Sequence, residues 1–525
     1  MAKSLQVLPA GEDAFLIELD SLEATLALFA GLKAAAPAGV IDLIPAARTL
    51  MVRFDPQLTD GVRLADVIAR IDLASPPARR GQTHEIPVSY DGADLQDVAD
   101  HLRCAVGEVI RRHTAATYMV AFAGFAPGFA YLTCDDPTLD VPRRKSPRVR
   151  VPAGSVALGG RFAGIYPTDS PGGWQLIGRT PIAMWDPARA RPALFAPGDR
   201  VRFRDAGKAA VVSEPLRSKS KPTAQGLLVT RADRPALFQD LGRAGHADQG
   251  VGESGAADRT SLIAANLCAG NPRGAAALEV TYGGFALKAD RRVTLAVTGA
   301  PTPLAIHTSD GRRLWAPFAR PVTLEAGDEI ALETPSSGMR SYLALRGGFR
   351  IQTILGSAAT DTLGKIGPAP VREGDRLVPE EQATSDIDPS RPSPSRLPKP
   401  GDTVTLDIVL GPRTDWFTET GVAALFAQDW KVTAETSRAG MRLTGAVPLA
   451  RRDAAELASE GTALGSLQVP HNGQPVLFLA DHPLTGGYPV IGVLARHHLD
   501  LAGQIPMGAK IRFNRFREFA PFVVG

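Results

Sequence analysis

Between Phe122 and Arg179 the chain reads FAGFAPGFAYL, then PRRKSPRVRVPAGSVALGG, then GIYPTDSPGGWQLIGR, so residues that fix backbone shape alternate with cations. Glycine permits positive φ and close backbone approach, while proline locks φ and removes a donor. Gly124, Pro127, Gly128, Gly154, Pro171, Gly172 and Gly173 therefore specify turns in more detail than a hydrophobic core requires. Arg143, Arg144, Lys145, Arg148 and Arg150 stand between those turns. Fixed backbone N–H groups beside cations suit an anionic ligand, a carboxylate or a phosphate. Phe125, Phe129 and Tyr131 alternate, and read as core or as the wall of a pocket on one strand face.

Other residues could also do chemistry. His113 ends a helical pattern ahead of the strand-like TYMVAFAG, and reads either as a packing residue or as a general base. Gly173 to Thr180, GWQLIGRT, departs from the phosphate-loop pattern GxxxxGKT at Arg179. The following PIAMWDP has a proline and no helical run, so the segment reads as a diglycine turn before a strand. Such a turn beside Arg179 still suits an anion. In the second half Gln239, Asp240 and Arg243 lie in FQDLGRAG, Asp258 reads as a helix N-cap, and Asn266, Asn271 and Glu279 as a buried polar network. Arg438 and Arg442, with Gln468, Gln474 and Asp481, supply donors and acceptors of the kind an amide substrate uses, or that turns use. HExxH, EF-hand and GxSxG signatures are absent, no GxGxxG opens a strand–helix unit, and the nine histidines form no ligand cluster by spacing.

The elements that must position these groups are mostly short strands. Gly 52 and Pro 43 make about 18% of the 525 residues, against roughly 12% on average. The spacing predicts a small α/β module over 1–80, with helices over Ser21 to Ala36 and Asp60 to Leu73. A β-barrel unit follows over 81–205, a linker over 206–225 and a β-rich unit over 226–383. A Pro/Ser-rich loop over 384–402 and a last barrel over 403–525 complete the chain. Gly154-Ser155 precedes Gly172-Gly173 as Gly465-Ser466 precedes Gly486-Gly487-Tyr488, and each leads to a similar strand, so the two barrels read as duplicates. Charges of 58 basic and 55 acidic residues give +3, which excludes a dedicated nucleic-acid binder. No uncharged apolar run reaches the roughly 18 residues of a membrane span. The three cysteines, Cys104, Cys134 and Cys268, are spaced as free thiols of a reducing compartment, so a cytoplasmic protein is expected.

Two sets of motifs carry a family resemblance. His113…Tyr118, GFAPGFAYL, PRRKSPRVRVPAGSVAL and GIYPTDSPGGWQLIGRTP resemble the KipI-type B component of ATP-dependent 5-oxoprolinase. FQDLGRAGHADQGVGESGAAD, YLALRGGF, SEGTALGSLQVPHNGQP and TGGYP resemble the KipA-type C component. The chain thus looks like a fusion of the two. The resemblance implies a mainly β fold with two or more cyclophilin-like β-barrels beside the α/β N-terminal module. It implies cleavage of 5-oxo-L-proline to L-glutamate with ATP and Mg, jointly with the enzyme's separate LamB/YcsF-like A component, and possible self-association. His113, Gln468 and Asp481 would then be catalytic. Arg143, Arg148 and Arg179 would hold anionic groups. Gly124, Pro127, Gly128, Tyr131, Ser155, Gly172, Gly173, Gln175, Gln239, Asp240, Arg438, Arg442, Gly486, Gly487 and Tyr488 would complete a substrate and nucleotide cleft. Related domains serve biotin-dependent carboxyltransferases acting on urea-like amides, and KipI-type proteins also inhibit a histidine kinase, so both are alternative functions. The sequence departs from the KipA-type pattern at GSAATDTLGKIGPAPV, at Arg438-Ala439-Gly440 and at Pro483-Leu484.

Overall fold

A computed structural model describes residues 5–74, 81–144, 146, 148–207, 225–388, 396–453, 455 and 457–524. Most of the expected 206–225 linker and the centre of the 384–402 loop lie outside the described residues. The chain is mainly β, at 36% strand and 16% helix. Among the described residues no helix is long and apolar enough to cross a membrane.

The N-terminal module is a five-stranded sheet backed by helices Leu22–Ala35 and Gly61–Ala69. Ser21 caps the first helix through Ala24 N–H and Asp60 the second through Arg63 N–H, which is why each begins where it does. Strand alternation divides the sheet's side chains. Val7, Phe15, Ile17 and Val52 meet the helices, while Leu8, Ala14, Leu16 and Met51 meet Ala247, Ala463 and Leu484 of the second half. The fifth strand is Phe522–Val524, paired antiparallel with Leu5–Val7, so both chain ends share one sheet.

Two seven-stranded barrels follow. The first takes its strands in chain order from Thr83–Val88, Thr117–Ala123, Ala130–Thr133, Ser155–Gly159, Phe162–Ile165, Gln175–Arg179 and Arg200–Asp205. The second uses Thr403–Leu410, Trp430–Val432, Gly440–Thr444, Ser466–Gln468, Val476–Phe478, Val490–Leu494 and Lys510–Arg517. Around both, the order is first, sixth, fourth, fifth, third, second, seventh. The seventh strand pairs parallel with the first in each, and in the first barrel the Ser89–Arg179 bridge closes the ring. Each barrel carries the same two-stranded appendage, Arg148–Val151 with Ser170–Gly172 in one and Glu460–Gly461 with Thr485–Gly486 in the other. This shared topology agrees with the recurring Gly-rich pattern of the sequence.

Between the barrels in sequence, a six-stranded and a five-stranded sheet pack face to face over Leu227, Val229, Leu287, Leu295, Val297 and Leu343. Residues of opposite parity, Ala296, Tyr342 and Ala344, turn to helix Arg259–Ala269. Asp258 caps that helix and Gly270 ends it in the left-handed conformation. The three cysteines are free.

Candidate functional site at the seam of the two halves

The turn Gly124–Phe129 joins the second and third strands of the first barrel and is seated on the second half. Ala126 N–H donates to Gly124 O and Phe129 N–H to Ala126 O, giving a tight turn in which Phe125 and Gly128 have φ of 64° and 78°. Gly128 N–H donates to Gln249 O at 2.9 Å. Opposite it, a Cβ on Gly250 would lie 2.5 Å from Ala126 O, so only glycine permits this approach. Pro127 faces Gly364, and Gly124 faces Thr485. Tyr131 is stacked on Phe122, with Thr485 and Ser459 close to its hydroxyl.

Behind this contact lies a buried polar network assembled from six separate segments of the second half. Arg438 donates Nε and Nη2 to Asp481 at 2.9 and 3.0 Å, Nη1 to Glu279 at 2.6 Å and Nη2 to Gly255 O. Asp481 also accepts from Ser254 Oγ at 2.6 Å and from Thr362 N and Oγ1 at 2.9 and 2.7 Å. Glu279 accepts from Tyr342 Oη at 2.8 Å. Burial works to raise the Asp481 pKa, but Arg438 and the hydroxyl donors outweigh it and hold the carboxylate below its ordinary range. The neighbouring Asp361 is shifted the other way, to about 6, by burial and then by the Asp481 charge, against the Gly364 N–H and Arg243. Arg243 is buried beside them, and burial pulls its pKa down despite Asp361, Asp240 and Asp481. The expected Gln239 and Asp240 belong here too, whereas Asp361 comes from the segment where the sequence departs from the KipA-type pattern.

A second group of expected residues lines a groove of about 600 Å³ on the first barrel, with Arg148, Arg150, Ser155 and Arg179 around it. Its cations are not free for an anion. Arg148 forms a two-pronged pair with buried Asp94 at 2.8 and 2.7 Å, Arg150 pairs with Asp169, and Arg179 with Asp91 at 3.0 Å. Ser155 Oγ is spent on Pro152 O, and Gln175 Nε2 on Pro142 O. Gly173 O accepts from Arg144 N–H, and Gly172 packs on Tyr166. Arg143 is exposed, 6.0 Å over Trp174. GWQLIGRT contains the strand Gln175–Arg179 with no helix after it, so it is not a nucleotide loop. A third group sits beside Thr485: Gln468 donates to Tyr488 O at 3.2 Å, Gly486 pairs with Glu460, Gly487 follows it, and exposed Tyr488 lies under Arg451.

Two expected roles need correction. His113 is wholly buried in the first barrel's core, 4.3 Å ring to ring from Phe203, with Nδ1 2.7 Å from Tyr90 Oη. Burial lowers its pKa to about 3, so it is neutral packing inside the barrel, with no substrate-facing side. Arg442 is on the outward parity of its strand, exposed, with Glu435 3.5 Å away, while Met441 and Leu443 fill the barrel. The single shared pocket is also corrected: the residues divide among seam, groove and the Tyr488 surface.

The family model for carboxyltransferase subdomains A and B matches residues 249–515, and that for subdomains C and D matches residues 5–195. The chain belongs to the carboxyltransferase-domain family. It is 33% identical over 290 residues to the C component of 5-oxoprolinase from Escherichia coli K12, covering 55% of this chain and 90% of that protein. It is 38% identical over 180 residues to the B component of 5-oxoprolinase from Bacillus subtilis, covering 31% of this chain and 75% of that protein. Urea amidolyase of Saccharomyces cerevisiae is 29% identical over 312 residues, covering 56% of this chain and 17% of that much longer protein. The crystal structure of TTHA0988 superposes with a TM-score of 0.81 at 34% identity, covering 95% of this chain and 99% of that one. The family match at 5–195 spans the N-terminal module and most of the first barrel, and the match at 249–515 spans the middle sheets and the second barrel.

Proposed function

We propose that this chain supplies in one polypeptide what 5-oxoprolinase draws from its B and C components, and acts with a separate LamB/YcsF-like A component on 5-oxo-L-proline. The observation that carries this reading is that relatives of both names match one chain, whose two halves meet through the Gly124–Phe129 turn beside a buried polar network. The balanced reaction would convert 5-oxo-L-proline, ATP and two waters to L-glutamate, ADP and phosphate. One water oxygen ends in the new glutamate carboxylate and the other in phosphate. As a water oxygen bonds to the lactam carbon, the C–N bond breaks and the ring nitrogen takes a proton.

Asp361, with its carboxyl shifted to about 6, is the seam group matched to passing that proton. Arg438 braces Asp481 and Glu279 so that the loops at 254, 362 and 481 keep their places. ATP supplies activation of the lactam oxygen when bound. The groove guanidinium groups are already matched by Asp91, Asp94 and Asp169, so the groove is not a preformed triphosphate cradle. An ATP-consuming reaction also accords with a cytoplasmic setting.

The test is phosphate release by the purified chain with a LamB/YcsF-like component. Release only when 5-oxo-L-proline is present, with glutamate formed in equal amount, is the expected result. Release that needs biotin and bicarbonate replaces the reading with a carboxyltransferase acting on a urea-like amide. No release, together with tight binding to a histidine kinase, replaces it with an inhibitor.

A further inference from the structure

Arg243 is 2% exposed, yet its guanidinium is only partly used. Nη2 donates to Ala359 O and weakly, at 3.4 Å, to Ser357 Oγ, whereas Nε and Nη1 have no partner among the described residues. The carboxylates near it make their hydrogen bonds to other groups, Asp361 through Oδ1 only. Asp240 accepts from Ser357 Oγ at 2.7 Å, Gly242 N at 2.8 Å and Ala358 N at 2.7 Å. Asp361 accepts from Leu363 and Gly364 N–H, and Asp481 is filled by Arg438, Ser254 and Thr362. A buried cation with unmatched N–H groups is costly unless something else supplies an acceptor.

Gln239 shows the complementary deficit. It is wholly buried, its Nε2 donates to Thr360 O at 2.9 Å, and its Oε1 has no partner among the described residues. Flipping the amide would set oxygen against oxygen at Thr360, so the orientation is fixed by the hydrogen bond. Arg243 and Gln239 thus reach the adjacent carbonyls of Ala359 and Thr360, one with spare donors and the other with a spare acceptor.

We propose that Arg243 and Gln239 recognise a small carboxylate bearing an amide N–H, with Arg243 taking an anionic oxygen and Gln239 Oε1 accepting the N–H. The identity of that ligand rests on the 5-oxoprolinase reading, since 5-oxo-L-proline carries its carboxylate one carbon from the ring N–H. A neutral lactam satisfies Gln239 but leaves the Arg243 N–H groups unmatched, so the pair would select acids over amides.

The test is calorimetric binding to the full chain of 5-oxo-L-proline, its carboxamide and 2-pyrrolidinone. Wild type is expected to bind the acid at least about tenfold more tightly than either neutral lactam, as charge-assisted hydrogen bonds allow. Arg243→Lys removes that preference without changing 2-pyrrolidinone affinity, and Gln239→Leu weakens all three ligands. Wild type that does not distinguish acid from carboxamide overturns the proposal, and this arm holds even where a variant fails to fold. Folded Arg243→Lys that binds the acid as wild type does also overturns it. The enzymatic reading fails separately, when phosphate release in the reconstituted enzyme ignores 5-oxo-L-proline. Recognition by Arg243 is then judged with sodium acetate by hydrogen exchange at residues 357–364. Slowing in wild type but not in Arg243→Lys supports it, and equal slowing in both overturns it.

Discussion

Replacing Arg438 by Met is the sharpest probe of the seam, because the network around it has an uneven supply of cations. Glu279 would keep Arg340, 3.3 Å away, and the Tyr342 hydroxyl. Asp481 would keep only neutral donors, Ser254 and Thr362. Breaking a buried pair by removing one partner costs about 3–5 kcal/mol, because the remaining charge is left buried. At 1.4 kcal/mol per tenfold, local opening should become roughly a few hundred to a few thousand times more frequent. Hydrogen exchange of the backbone amides near 254–258, 362 and 479–485 is the assay, since those N–H groups report opening of this network rather than of a whole domain. The pH dependence fixes the sign. In wild type the Asp481 pKa is depressed, so its contribution is present above the unfolded carboxylate value and lost as pH falls through the folded one. Without Arg438, burial would dominate and raise that pKa, so the defect should shrink from pH 7 to pH 4. Adding Asp481→Asn should recover part of the loss at pH 7. A defect below about 1 kcal/mol, or one that grows on acidification, would refute the claim that Arg438 neutralises Asp481.

Other perturbations separate packing from chemistry. His113→Phe should leave kcat and KM within about twofold, since the ring is core, and should flatten an acid sensitivity that wild type shows. With a folded pKa of about 3 against an unfolded value near 6.5, His113 costs wild type about 2 kcal/mol between pH 7 and pH 5, read as a falling melting temperature. Asp361→Asn should lower kcat about 100-fold in the reconstituted enzyme, change KM little and remove a pH-rate limb near 6, because proton transfer and not binding is lost. Gly128→Ala places a Cβ 2.9 Å from Met184 O at φ 78°, and should cost about 1–3 kcal/mol while loosening exchange at 249–251. Cleavage at a protease site engineered between 208 and 224 should leave the two pieces co-eluting in gel filtration at micromolar concentration, since the strand pairing of 522–524 with 5–7 and the Arg413–Glu18 pair cross between them.

What the sequence disclosed, and what it hid, follows from the range of each interaction. Turns and caps are local, so the tight turn at Gly124–Phe129 and the Asp258 cap were legible. The polar trio Asn266, Asn271 and Glu279 was legible as buried, because polar residues recurring inside an apolar pattern need partners. Charge pairing is not local. Arg148 and Arg179 read as anion binders, yet their partners Asp94 and Asp91 come from an earlier segment that carries no signal for the pairing. His113 misled for a related reason: a helix-end histidine looks the same in sequence whether the helix covers a core or edges a cleft. Arg243 was visible beside Gln239 and Asp240, but its unmatched nitrogens exist only once Ser357 and Ala359 are folded around Asp240.

The duplicated barrel explains why the repeated glycine pattern foretold a scaffold and not a pair of equal sites. Both barrels have one strand order and one appended strand pair, so selection for that backbone alone preserves Gly-Ser and Gly-Gly at matching places. The faces beside the two strand pairs have different neighbours. In the first barrel the pair borders the open groove at Arg148 and Ser155. In the second, the N-terminal sheet is laid against it: Gly461 packs on Met51, Gly11 meets Val493, and Glu18 pairs with Arg413, itself bound to Glu460. That sheet is completed by the strand at the other end of the chain, so the module of one half is built onto the barrel of the other. Interlocking of this kind seats the Gly124–Phe129 turn of the first barrel on Gln249, Gly250, Gly364 and Thr485. The polar network is built within the second half, where Arg438 and Asp481 of the last barrel meet Ser254, Glu279 and Thr362 of the middle region, so the barrel alone could not assemble it.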